Sequence, residues 1–140
     1  MYGDSATARK RVTQLREQAG DIRALAERLV AQAEAVPWHG RAADAMRARI
    51  KERAAHLRRA AGLHETAAES LARHVNEADT LKDAIETLEH KARALTTDAR
   101  ARIAQLEHDA TPSEEDLQLA AFEAPPSGHK DWLTTTLPGL

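Results

Sequence analysis

Two long runs of small and apolar residues, spaced in alternating steps of three and four, are separated in this chain by one short interruption, Pro37-Trp38-His39-Gly40. This pattern constrains the fold more than any other feature. In the first run the stripe is Val12, Leu15, Ala19, Ile22, Ala26, Leu29, Ala33 and Val36, an unbroken heptad seam that only an α-helix places on one face. Asp4 or Ser5 is suited to cap its start and Pro37 stops it, giving about 32 residues and roughly 48 Å of helix. The second run opens at Arg41 and continues the device through Ala43, Met46, Ile50, Ala54, Leu57, Ala61, His64, Ala68, Leu71 and Val75. Alanine alternating with larger residues permits close antiparallel packing. Proline restricts the residue before it and glycine opens backbone angles closed to other residues, so the chain is expected to reverse at Trp38. A reversal there places residues near 20 opposite residues near 57 and lets the first helix cover the second as far as about residue 72.

Composition agrees with an all-α chain. Thirty of the 140 residues are Ala, against six Gly, five Pro and four aromatics, which favours helix and deprives a sheet of its usual residues. The stripe continues in Leu81, Ile85, Leu88, Ala92, Leu95, Ala99 and Leu106, and neither Gly nor Pro occurs between Gly62 and Pro112. Two arrangements follow. Either the second helix runs on and its seam requires a partner, or it breaks near 76–80, with Asn76 ending one helix and Asp79 or Thr80 capping a third that folds back. Past residue 110 the pattern changes. Thr111, Pro112 and Glu114 read as a capping box opening a short acidic helix over 112–122. Pro125-Pro126-Ser127-Gly128 then reads as a linker to a segment holding Trp132, Leu133 and Leu137. The expected organisation is a helical hairpin with an extended second or third helix over 1–110 and a short helix plus tail over 111–140. A free tail seldom carries such apolar residues, so three readings stand: docking on its own bundle with Trp132 as anchor, a linear motif for another protein, or a disordered end.

Sites of chemistry are sparse. There is no cysteine, no Gly-rich phosphate loop and no Gly-x-Ser-x-Gly elbow, and the seven histidines include no pair at i and i+4 and no Glu-x-x-His. The reading is therefore no catalytic residue, no metal, no cofactor and no small-molecule substrate. His64 reads as a polar layer setting register rather than as a ligand. The net charge is -2, with thirteen Lys/Arg against seven Asp/Glu in residues 1–60 and seven against fifteen in residues 61–140, so the two halves are electrostatically complementary. Arginines along Arg41–Arg59 invite a nucleic-acid reading, but they spread around the helix and no aromatic residue interleaves them. No segment approaches the ~20 apolar residues of a membrane span, and Met1–Val12 is polar and basic, unlike a cleavable signal peptide.

Two amphipathic helices joined at Trp38-His39-Gly40 and followed directly by Arg41-Ala42-Ala43-Asp44-Ala45-Met46 resemble the Trp-x-Gly (WXG) superfamily, the small ESAT-six-like proteins of type VII secretion in actinobacteria and their relatives. The resemblance covers roughly residues 5–80, with Trp38 and Gly40 at the motif positions. It implies a hairpin that pairs with itself or with another helical hairpin into an antiparallel four-helix dimer, is exported without a cleavable signal peptide, or escorts a larger effector. The localisation implied is cytoplasmic before export and secreted or envelope-associated after it. One departure bears on this: the family's export signal, Tyr-x-x-x-Asp/Glu after the second helix, is missing, and the lone tyrosine is Tyr2. The expectation is a type VII substrate or the partner that delivers one. Its interaction seam would comprise Leu15, Ile22, Leu29, Met46, Ile50, Leu57, Leu71, Val75, Leu81, Ile85, Leu88, Leu95 and Leu106, with Trp132, Leu133 and Leu137 anchoring the tail. The alternatives are a cytosolic helical scaffold or regulator, and a nucleic-acid binder through Arg41–Arg59.

Overall fold

A computed structural model of the chain describes residues 5–140; the sequence features at Tyr2 and Asp4 lie outside them. The described residues form α1 (Ser5–Ala35), α2 (Arg41–Ala104), α3 (Glu114–Ala120) and a 3-10 turn at Lys130–Thr134, with no strand among them. The protein is an all-α helical hairpin with a long second helix. Helix α2 is continuous for 64 residues, so the break considered near 76–80 does not occur. Between Asn76 and Thr80 stand only Glu77, Ala78 and Asp79, and no Gly or Pro is present to stop propagation.

The chain divides into two compact units, Met1–Glu77 and Ala78–Leu140. The division falls inside α2, and the boundary expected near residue 110 lies within the second unit.

In the first unit α1 and the first part of α2 pack antiparallel. Arg23 donates to both carboxylate oxygens of Glu65 at 3.1 and 2.8 Å, Lys51 pairs with Glu34 at 3.6 Å and Arg9 donates to Asn76 Oδ1 at 3.4 Å. The buried apolar residues of this unit are Val12, Ala19, Ala26, Ala33, Ala43, Ala54, Ala61, Ala68 and Val75. The Arg23–Glu65 register sets Val12, Ala19, Ala26 and Ala33 roughly level with Val75, Ala68, Ala61 and Ala54, two ladders of seven-residue spacing face to face. Residues near 20 thus face residues near 65 to 68, not 57, and α1 reaches Asn76. The loop explains the shift. The five non-helical residues Val36–Gly40 span up to about 17 Å, so α2 begins beyond the end of α1 instead of level with it.

In the second unit the chain returns along α2. Helix α3 is capped by Ser113, whose hydroxyl accepts from Asp116 N–H at 3.1 Å, so Ser113 rather than Thr111 is the cap. Beginning there places Asp116 in the first turn, where it meets Arg102 at 2.7 Å. The residues that follow fold onto α2 around Trp132, which with Ile85 and Ala92 forms the buried core, flanked by Phe122, Leu137 and Leu140.

Candidate functional site

Two features of the first unit define a surface that pairing chemistry can use. The first follows from ladder geometry. An antiparallel helix pair is related by a two-fold axis normal to its plane, so residues three positions after each ladder alanine fall on the same face of both helices. Those residues are Leu15, Ile22 and Leu29 on α1, with Ile50, Leu57, His64 and Leu71 on α2, and all are half-buried. Met46, also half-buried, lies near the loop end of α2. Residues four positions after the ladder fall on the opposite face and include Arg23 and Glu65, whose ion pair closes it. One face of the hairpin is thus an apolar rail, and the other carries Arg16, Arg23, Arg58 and Glu65 beside Val30 and Ala72. His64 belongs to the rail, but its Nδ1 bonds its own helix at Ala60 O, 2.9 Å away, so it adds a polar body without a cross-helix partner.

The second feature is the loop. Gly40 sits at φ 109, a conformation strained for any side chain, and its carbonyl accepts the Asp44 N–H at 3.0 Å to open α2. Arg47 secures the turn from the other side. Its Nε donates to Ala33 O at 3.2 Å, and its Nη2 donates to Val36 O and Trp38 O, each at 2.7 Å. This one guanidinium satisfies carbonyls that the end of α1 leaves open. Trp38 itself stays 46% exposed.

The ion pairs Arg23–Glu65 and Arg102–Asp116 bridge segments of the chain. The Glu65 carboxyl lies below its ordinary value because Arg23 hydrogen-bonds it, an effect larger than the opposing desolvation, and Arg23 is raised by the same bond. Asp116 is lowered chiefly by the hydrogen bond from Arg102.

The second unit distributes the remaining seam residues unevenly. Ile85, Ala92 and Ala99 are buried, Leu88 and Leu95 are half-buried, and Leu81 and Leu106 are 50% and 40% exposed. Two polar residues join the buried line, Glu89 and Thr96. The Glu89 carboxylate accepts from the Ser127 hydroxyl, from Gly128 N–H at 3.3 Å and from Arg93. The Ser127 bond is the largest of the effects that hold it below the ordinary range against desolvation. Thr96 Oγ1 is buried without a hydrogen-bond partner, beside a cavity of about 260 Å³ lined by Arg93, Arg100, Phe122 and Trp132. Trp132 is 1% exposed, its Nε1–H donating to Pro126 O at 3.1 Å and its ring meeting Phe122 edge-on at 6.0 Å. Leu137 is half-buried against this cluster, while Leu133 is 42% exposed.

Sequence reasoning did not pick out Glu89, and it placed Arg47 only within the basic run Arg41–Arg59, not at the loop. Glu89 carried a legible signal, because counting by sevens from Ala54, Ala61, Ala68 and Val75 arrives at Lys82, Glu89 and Thr96. Tracing apolar residues alone leads instead to Leu88 and Leu95. Arg47 carried none, since its role depends on a loop path that spacing does not specify.

Among the described residues no group of three His, Asp or Glu gathers in a metal-binding arrangement, and no helix is long and apolar enough to cross a membrane. No protein-family model, no curated protein and no solved structure matches this chain.

Proposed function

We propose that this chain is a Trp-x-Gly-type helical hairpin that acts by pairing its apolar face with a second hairpin, as a type VII secretion substrate or as the partner that delivers one. One observation carries the reading. All buried apolar side chains in the first unit are Ala or Val, while Leu15, Ile22, Leu29, Ile50, Leu57 and Leu71 share one face and remain half-buried. A hairpin so built withdraws little apolar area from water by itself. Full burial of an exposed Leu or Ile is worth roughly 1.5–3 kcal/mol; these half-buried side chains have part of that still to gain, and a second hairpin laid on the same face supplies the remaining burial in four-helix geometry.

The partly exposed Trp38 and the strained Gly40 fit a loop shaped for recognition by secretion machinery, with the export signal supplied in trans because no Tyr-x-x-x-Asp/Glu follows α2. The cellular path that goes with this reading is cytoplasmic folding followed by export or envelope association. Against a nucleic-acid role, Arg47 is committed to the carbonyls of Ala33, Val36 and Trp38 and Lys51 pairs with Glu34, which occupies two cations of the Arg41–Arg59 run.

The test is the pair Ile22→Glu and Leu57→Glu, which charges the rail without touching the alanine ladders. Pairing is lost while helical content is kept. A pairing affinity unchanged by both substitutions overturns the proposal.

A further inference from the structure

Every residue of the rail in the first unit is Leu or Ile except His64, which stands between Leu57 and Leu71 at the same seven-residue spacing. It is half-buried, whereas the other histidines of that unit, His39, His56 and His74, are exposed. Its Nδ1 lies 2.9 Å from Ala60 O, one turn back on its own helix. A carbonyl oxygen only accepts, so Nδ1 carries the proton and Nε2 of the neutral ring is left as an acceptor. Among the described residues no donor meets Nε2. Across the hairpin, the Arg23–Glu65 fork brings Ile22 beside His64, an apolar neighbour. In the lone hairpin the half-buried ring is still open to solvent, which supplies the missing donor.

We propose that His64 selects the partner of the rail: it disfavours a second copy of this chain and favours a helical hairpin whose apolar stripe places one side-chain N–H or O–H opposite the ring. The proposal rests on the rail-pairing reading above. Covering the rail takes Nε2 away from water, and a buried acceptor left unpaired is costly where a bonded one is not. A second copy brings no donor on its rail. Its Leu and Ile side chains have none, and the N–H of its own His64 is spent on its own Ala60 O. A hairpin with Asn, Gln, Ser or Thr at that level completes the bond. In doing so it fixes the register in which the two stripes meet, the use that a single polar position has in paired helices.

The test is a double-mutant cycle on the full-length chain. Fluorescently labelled parent chain, and a labelled copy carrying Ile22→Gln/Leu57→Gln, are each titrated by anisotropy into unlabelled parent and into unlabelled His64→Leu. The double variant offers an amide N–H from either helix of its rail, whichever lies over the ring, and none of these substitutions touches the alanine ladders. Two results are expected. His64→Leu binds the parent probe more tightly than the parent chain does, and the affinity of the glutamine probe relative to the parent probe is about tenfold higher for the parent chain than for His64→Leu. An equal ratio in the two hosts overturns the proposal, as does a parent probe that gains nothing from His64→Leu; in both cases pairing itself stands. Absence of pairing in all four combinations overturns the rail-pairing reading and this proposal with it, so the two failures are told apart.

Discussion

Arg23 on α1 spans the hairpin to Glu65 on α2 with two parallel hydrogen bonds, Nε to Oε1 at 3.1 Å and Nη2 to Oε2 at 2.8 Å. This fork fixes the register in which the two alanine ladders meet, and it lies on the face opposite the leucine rail. Its contribution is directional more than energetic, since both side chains are partly exposed, at 41% and 45%, and solvent screens such pairs. Exchanging the two residues, Arg23→Glu with Glu65→Arg, preserves the melting temperature better than either single change. A double-mutant cycle with no coupling between the two sites removes the register role.

The ladders themselves tolerate no enlargement. Ala26 and Ala61 are 0% exposed, and a leucine at either position forces the helices apart or into unfavourable rotamers, at a cost of about 1–3 kcal/mol. Chemical denaturation of Ala61→Leu measures it. Leu63, two residues on and 72% exposed, supplies the control, since Leu63→Ala changes stability little. Wild-type stability in Ala61→Leu contradicts close packing of the ladders.

Acidification weakens the fold in a defined direction. Glu65, Glu89 and Asp116 all lie below their ordinary values in the folded chain, so the unfolded state binds more protons as pH drops through the ordinary carboxylate range at about 4. The stabilisation is complete above that range and is lost as pH falls through the lower folded values. Glu65→Gln and Glu89→Gln each flatten the dependence of melting temperature on pH below about 5; an unaltered slope in both contradicts the assignment.

Trp132 is the chief anchor of the second unit. Trp132→Ala removes the buried indole and costs about 3–5 kcal/mol in the stability of that unit. In a Trp38→Phe background the emission of Trp132 is blue-shifted, and deleting residues 125–140 leaves helical content nearly intact. Solvent-like emission from Trp132 contradicts the packing.

Trp38 behaves differently because nearly half of it is in solvent. On the secretion reading, Trp38→Ala lowers export of the chain or of its partner far more than it lowers stability. Normal export of a folded Trp38→Ala variant removes the support that the Trp-x-Gly motif gives.

Legibility in the sequence differs from position to position. Pro37 and Gly40 delimit α1 and α2 because their backbone restrictions act locally, and the ladder from Ala19 to Ala68 is visible as spacing. The register is not, because it depends on how far Val36–Gly40 extends, and the guanidinium that holds this loop sits at Arg47, several residues into α2. By residue type Thr111 is as good a cap as Ser113. The choice is made by Asp116 reaching Arg102, a contact between residues 14 apart that spacing does not encode. The face on which Leu15, Ile22 and Leu57 meet follows from the antiparallel arrangement, whereas the covering of Ile85 and Ala92 by Trp132 depends on the path of a segment with little regular structure.

Pairing through the leucine rail is tested most directly by mass in solution. The chain has a mass of 15.3 kDa. Light scattering on the purified protein, and on the protein co-expressed with small helical hairpins encoded beside it, gives either twice that mass or a one-to-one complex, reduced to the single-chain mass by Ile22→Glu/Leu57→Glu. A mass of 15.3 kDa in every sample, with and without those hairpins, contradicts pairing.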